Sequence, residues 1–174
     1  MIYAALVLVV LLLTIAIASW SSAPFVPTRT KDLSRILKLA NLKPGQNFYD
    51  LGCGNGKVVF FIGKNSKAKA FGIEMALPIY FWAKIKQIFS GCKNCQILYR
   101  NFFKVDLTDA DVVYIFGYPI SLKLRVAKKL QKELKPGAKI ISYSFKIADW
   151  QPILIDKPAK DQIPIYIYQI KDKV

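Results

Sequence analysis

The sequence predicts an α/β domain with a doubly wound, mostly parallel sheet, carried behind an N-terminal transmembrane helix. Three observations predict it. Strand-like and helical segments alternate from residue 48 to residue 144, a glycine-rich bend follows the first strand, and residues 2–20 are almost wholly apolar. Strands that alternate with helices assemble into a parallel sheet with helices packed on its faces.

Composition sets the outer limits. The chain has 174 residues, about the length of one domain. A domain of ~150 residues buries nearly 70% of its unfolded surface and needs no disulfide framework. There is no His, which excludes Ser-His-Asp and Cys-His triads and every His-ligated metal site. Three Cys cannot build a Cys₄ zinc site, and they are too few for a disulfide-rich scaffold. No metal site is therefore expected. Lys and Arg number 26 against 11 Asp and Glu, a net charge of +15.

The first charged side chain is Arg29. Nineteen residues, Ile2 to Trp20, would span ~28 Å as a helix, close to a hydrocarbon thickness of ~30 Å. No basic residue precedes the run, unlike a cleaved signal peptide. Arg29, Lys31, Arg35, Lys38 and Lys43 all follow it. The positive-inside rule then predicts a single-pass protein with its N-terminus outside and its domain on the cytoplasmic face. Residues 1–20 are read as the anchor, 21–30 as a linker and entry segment, and 31–174 as the folded domain.

Pro24 and Pro27 keep the linker extended. A short amphipathic helix follows, with Thr30 as its N-cap, Leu33, Ile36, Leu37 and Ala40 on one face, and Lys43-Pro44-Gly45 as its stop. Strands are predicted over 48–51, 70–73, 96–99, 111–116 and 139–144, with helices through about 64, over 77–89 and over 121–134. Residues 153–155 and 163–170 form an antiparallel edge hairpin.

The chemistry begins at Asp50-Leu51-Gly52-Cys53-Gly54-Asn55-Gly56. Glycines at the carboxyl end of the first strand allow a tight turn and a close ligand. The helix that follows offers free N–H groups. Glu74, 22 residues after Gly52, ends the second strand, where a carboxylate can accept bonds from both hydroxyls of a ribose. The spacing Gly-x-Gly-x-Gly departs from the dinucleotide pattern Gly-x-Gly-x-x-Gly. Asp50 beside the pocket opposes a diphosphate and suits a sulfonium and an ammonium. S-adenosylmethionine is therefore favoured over NAD. Asn101 and Phe102 follow the third strand. Asn101 can bond an adenine edge, and Phe102 either stacks on the base or belongs to the core. Asp106 and Asp109 are read as turn or cap residues. Cys92 and Cys95 are read as reduced thiols in a surface turn, since a lone CxxC has no partner pair for zinc.

Seven stretches resemble a known family, the small class I protein-lysine methyltransferases related to the ATP synthase c-subunit and adenine nucleotide translocase lysine N-methyltransferases, with their compact prokaryotic homologues. They are PFVPT (24–28), FYDLGCGNGK (48–57), FGIE (71–74), NFFKVD (101–106), DVVYIFGYP (111–119), KLQKELKPGAKIISYSF (129–145) and Asp149-Trp150. The resemblance implies a Rossmann-like, seven-strand fold and S-adenosylmethionine as cofactor. It implies that Asp50, Gly52 and Gly54 line the methionine part of the cofactor, with Leu51, Cys53 and Gly56 completing the bend. Glu74, with Met75 beside it, holds the ribose, and Asn101 with Phe102 the adenine. Phe25, Val26, Pro27 and Thr28 cover the cofactor near the acceptor opening. Asn55, Lys57 and Ala76 depart from the family, which often has Asp, Arg and Asn there.

No general base stands out, and no catalytic acid or base is assigned. An amine that enters neutral needs mainly orientation. Tyr114, Tyr118 and Tyr143 either line the acceptor channel or belong to core and rim. The expected partner is a membrane-associated protein offering a lysine. The basic excess suits anionic headgroups or a solvated surface, and without a nucleic-acid-binding module it does not call for RNA. The alternatives are a lipid, small-molecule or RNA acceptor, or a membrane protein that binds the cofactor without catalysis.

Overall fold

The computed structural model describes residues 26–117 and 125–171, together with residues 2, 3, 5, 9 and 12. The latter five are helical. The rest of the expected anchor, Phe25, Tyr118, Pro119 and the start of the expected 121–134 helix lie outside the described residues. Among the described residues, no helix is long and apolar enough to cross a membrane.

A 3₁₀ turn, Thr30–Asp32, leads into helix α1, Leu33–Ala40. Then follow β1 (Asn47–Leu51), α2 (Lys57–Asn65), β2 (Lys69–Glu74), α3 (Leu77–Ser90) and β3 (Cys95–Tyr99). A second 3₁₀ turn (Phe102–Lys104) precedes β4 (Val112–Ile115), α4 (Ala127–Glu133), β5 (Lys139–Tyr143), β6 (Leu154–Asp156) and β7 (Ile165–Gln169). The seven strands lie in the order β3-β2-β1-β4-β5-β7-β6. All neighbours are parallel except β7, which runs antiparallel between β5 and β6. The strand order reverses between β1 and β4, and sheets of this kind bind ligands at such a switch point, outside the carboxyl ends of the strands.

Each strand sorts its side chains by alternation. Phe48, Val112, Tyr114, Ile141, Tyr143, Ile165 and Ile167 face one way and pack with α1, α2 and α3. Tyr49, Leu51, Ile73, Val113, Ile115, Ile140 and Tyr168 face the other and pack with Phe102, Leu107 and α4. Asp50 shares the first face by register, opposite Gly72 on β2 and Tyr114 on β4.

Three local expectations are corrected. Thr30 does not cap α1; it opens the 3₁₀ turn, and no side chain caps either start. The helix ends earlier than Lys43, because Asn41 turns left-handed (φ 45°) and bonds back to Leu37. Cys92 and Cys95 are not free thiols but a disulfide: the turn after left-handed Gly91 brings their Cα atoms to 5.4 Å. Asp106 and Asp109 are structural, as expected. Asp106 Oδ1 accepts from Thr108 N at 2.9 Å, and Asp109 accepts from Asn47 Nδ2 at 2.9 Å and Tyr49 Oη at 3.0 Å.

Candidate active site

The bend after β1 is built from three left-handed glycines: Gly52 at φ 81°, Gly54 at 54° and Gly56 at 73°. A side chain at any of them would be strained. At Gly56 a Cβ would also lie 2.6 Å from the Phe60 ring. Gly52 N and Cys53 N donate to Ile73 O at 2.9 and 3.0 Å, which ties the bend to the end of β2.

Glu74 completes the tie. Its Oε2 accepts from Gly54 N at 3.0 Å, and its Oε1 accepts from Met75 N and Ala76 N, each at 2.8 Å. One carboxylate therefore holds both the glycine bend and the start of α3. Two carboxylate oxygens offer about four acceptor positions, so capacity remains for a ribose hydroxyl. Burial raises the Glu74 pKa, and the three backbone bonds work against that rise.

Asp50 is buried just behind the bend. Burial raises its pKa well above the usual carboxylate range, and repulsion from Glu74 adds to it. Among the described residues no hydrogen bond offsets the two, in contrast to Glu74. Two acids thus share a small buried volume in a chain of large positive charge. Such a pair stabilises a cation placed between them, and its burial makes the attraction strong. Cys53, also buried, has its thiol pKa pushed up by burial and by both acids.

The segment preceding α1 crosses the same face. Thr28 is buried, and its Oγ1 lies 2.7 Å from Tyr114 Oη. Lys57 Nζ donates to Thr28 O at 3.1 Å. Val26 and Pro27 are exposed. Tyr114 has its pKa raised by burial and then by Asp50. Below it, Tyr143 Oη donates to Asp32 Oδ2 at 2.6 Å. Arg35 bonds Asp32 Oδ1 at 2.7 Å through Nη1 and Asp156 Oδ2 through Nε at 2.8 Å and Nη2 at 2.5 Å. These bonds fasten the N-terminal segment across the sheet to β6.

The structure therefore brings together Thr28, Asp50, the glycine bend, Glu74 and Met75. Asn101 and Phe102 stand beyond the end of β3, whose following residue Arg100 donates its N–H to Glu74 O at 3.1 Å. Asn101 Oδ1 is engaged by Phe103 N at 2.9 Å. Phe102 is buried in the second core face, 4.3 Å from the Phe103 ring centre. Sequence reasoning missed Asp32, Arg35 and Lys57 as supports. The pairing of Asp32 with Arg35 three residues later was the available signal, but their partners Tyr143 and Asp156 lie more than a hundred residues away. Among the described residues no cluster of acids and thiols could hold a metal.

A family model described as the ANTKMT methyltransferase domain matches residues 50–154. The chain belongs to that family. It is an S-adenosylmethionine-dependent enzyme of a protein-lysine methyltransferase family, and the acid pair behind the glycine bend fits that cationic cofactor. A protein-lysine N-methyltransferase of Saccharolobus islandicus is 31% identical over 156 residues, 84% of this chain and 93% of the relative. The mouse adenine nucleotide translocase lysine N-methyltransferase is 29% identical, over 82% of this chain. The human lysine N-methyltransferase of the ATP synthase c-subunit is 28% identical, over 74%. The matches span 62% and 54% of those two longer relatives. Among solved structures, an RNA methyltransferase of Salinibacter ruber bound to S-adenosyl-L-homocysteine superposes with a TM-score of 0.80, covering 86% of this chain and 96% of that one. At 24% identity that likeness establishes the fold alone.

Proposed function

We propose that this protein methylates a lysine side chain of a membrane-associated protein, with residues 2–20 as its membrane anchor and the catalytic domain on the cytoplasmic face. The observation that carries the catalytic half is the buried pair Asp50 and Glu74, set against a left-handed glycine bend in a chain of this family. The apolar, uncharged run at residues 2–20 and the basic residues that follow it support the membrane half. The names of the mammalian relatives, which specify lysine in particular proteins, support a protein acceptor.

The cofactor supplies a methyl group on a positive sulfur; transfer forms a C–N bond, breaks the C–S bond and releases one proton from the product amine. The protein's contribution is positional. Glu74 fixes the bend, Asp50 compensates the cofactor's positive charge, and Thr28 with Tyr114 bounds the acceptor side. A well-oriented pair of reactants gains several kcal/mol over a random encounter, roughly 7–11 in the best intramolecular cases. The acceptor amine must arrive neutral. Burial lowers an amine's pKa, so an acceptor site shielded from water favours the reactive form without a dedicated base.

Tethering raises the effective concentration of enzyme over acceptors confined to the same bilayer. Incubation of the full chain with methyl-labelled S-adenosylmethionine and a membrane fraction tests the reading. Label is expected on lysine of a membrane protein, located by mass spectrometry. Label found only in RNA or lipid rejects it.

A further inference from the structure

Helix α3 turns the wrong side to water. Ala83 is its fully buried residue, and Gln87 anchors it to β3 by donating to Cys95 O at 3.0 Å and accepting from Ile97 N at 3.1 Å. On the far side Phe81, Trp82, Ile85, Ile88 and Phe89 are between 49% and 84% exposed. They recur at i, i+1, i+4, i+7 and i+8, which places them within an arc of about 120° on a helix of 3.6 residues per turn. Isolated apolar residues on a surface are ordinary, but a continuous stripe of five large ones is an interaction face.

The charge around the stripe selects its partner. Residues 75–105 hold Lys84, Lys86, Lys93, Arg100 and Lys104 and no Asp or Glu. Lys86 flanks the stripe, its Nζ 5.3 Å over the Trp82 ring, whereas Lys84 turns inward and donates to Gln87 Oε1 at 3.1 Å and Ile97 O at 3.4 Å. Tyr99, Arg100 and Lys93 are exposed nearby. A second copy would bring two chains of +15 together, which mutual repulsion opposes. An anionic bilayer complements both features: acyl chains for the stripe and phosphates for the lysines. Fourteen residues make a helix of about 21 Å, too short to span ~30 Å of hydrocarbon and suited to lying in the interface. Trp and other aromatic side chains favour that depth.

We propose that the outer face of α3 is a membrane-docking surface, embedded in the headgroup region of an anionic leaflet and separate from residues 2–20. Because α3 starts three residues after Glu74, docking would hold the cofactor crevice at a fixed orientation to the bilayer. The inference stands whether or not the acceptor is a lysine.

Trp82 can report on it directly. In the full chain carrying Trp20→Phe and Trp150→Phe, Trp82 is the sole tryptophan. Mixed with vesicles of brominated phosphatidylcholine and phosphatidylglycerol, its emission is expected to shift to the blue and be quenched by bromine. Both effects are expected to weaken in vesicles of phosphatidylcholine alone, and Phe89→Glu is expected to abolish them without changing S-adenosylmethionine affinity. A chain that sediments with vesicles while Trp82 stays open to acrylamide overturns the proposal. So does equal quenching in neutral vesicles, or shielding of Trp82 without lipid accompanied by a doubled mass. Should the double substitution unfold the chain, hydroxyl-radical footprinting of Phe81, Trp82 and Phe89 in the unaltered protein decides the same question, with vesicle-dependent protection expected and unchanged oxidation contradicting it.

Discussion

Asp50 is a carboxylate that the empty fold disfavours and the cofactor's charge favours. Its folded pKa is raised, so the folded state binds a proton more tightly than the unfolded chain does. Stability of the cofactor-free protein therefore falls as pH rises through the interval from the ordinary carboxylate value to the raised one. Asp50→Asn removes that cost and is expected to raise the melting temperature of the cofactor-free protein at pH 7, by about 2–4 °C for each kcal/mol recovered. Cofactor binding should run the other way, weakening as acid neutralises Asp50. Thermal melts from pH 5 to pH 8, with and without S-adenosylmethionine, check both slopes. Gly72 makes a second residue-level case. A Cβ there would lie 2.7 Å from Cys53 Sγ and 2.8 Å from both Ile97 Cδ1 and Val59 Cγ2. Overpacking of this kind costs ~1–3 kcal/mol. Gly72→Ala should lower stability and, by pushing on Cys53, weaken cofactor binding, both readable by calorimetry. Asp50, Glu74 and the glycines were legible as a pocket because short motifs carry them. The bracing role of Glu74 was not: its bond from Gly54 N, twenty residues away, depends on β1 and β2 lying side by side.

At the level of elements, the N-terminal segment works as a strap. Asp32 is almost fully buried and is held by Tyr143 and Arg35, and Arg35 reaches on to Asp156. Arg35→Ala would strand Asp32 as a buried charge with one partner. Breaking a buried pair costs ~3–5 kcal/mol, and the partial exposure of Arg35 points to the lower end. A loss near 3 kcal/mol corresponds to a melting temperature lower by about 6–12 °C. KM for the cofactor should rise as well, since Thr28 rides on the strap; an unchanged KM with a lowered melting point would make the strap purely structural. The strands were readable from alternation and from Pro and Gly punctuation, the third one included. Helix starts were not. Thr30 has the residue type of a cap, yet the chain spends it in a 3₁₀ turn, and Asp32 at the start of α1 gives its carboxylate to Tyr143 and Arg35 rather than to a helix N–H. The disulfide was equally hidden, because a CxxC pair in isolation does not say whether its turn closes.

The whole molecule combines a cation-binding crevice with a basic exterior. Opposite signs inside and out suit the two proposals: the two acids are placed to meet a cationic cofactor, and the exposed basic residues of 75–105 to meet an anionic surface. The exposed apolar stripe of α3 was not legible in the sequence, where Leu77–Phe89 reads as an ordinary helix of a doubly wound fold. An amphipathic period marks the buried face only when the other face is polar, and here Ala83 and Gln87 face the sheet while the larger apolar residues face out. The central claim remains the crevice. Calorimetric titration of S-adenosylmethionine into the unaltered protein and into Asp50→Asn tests it most directly. Loss of a charged contact is worth ~1.5–3 kcal/mol, so the account predicts binding weaker by about 10–150-fold in the variant, with its fold intact. Equal affinity of the two proteins would contradict it.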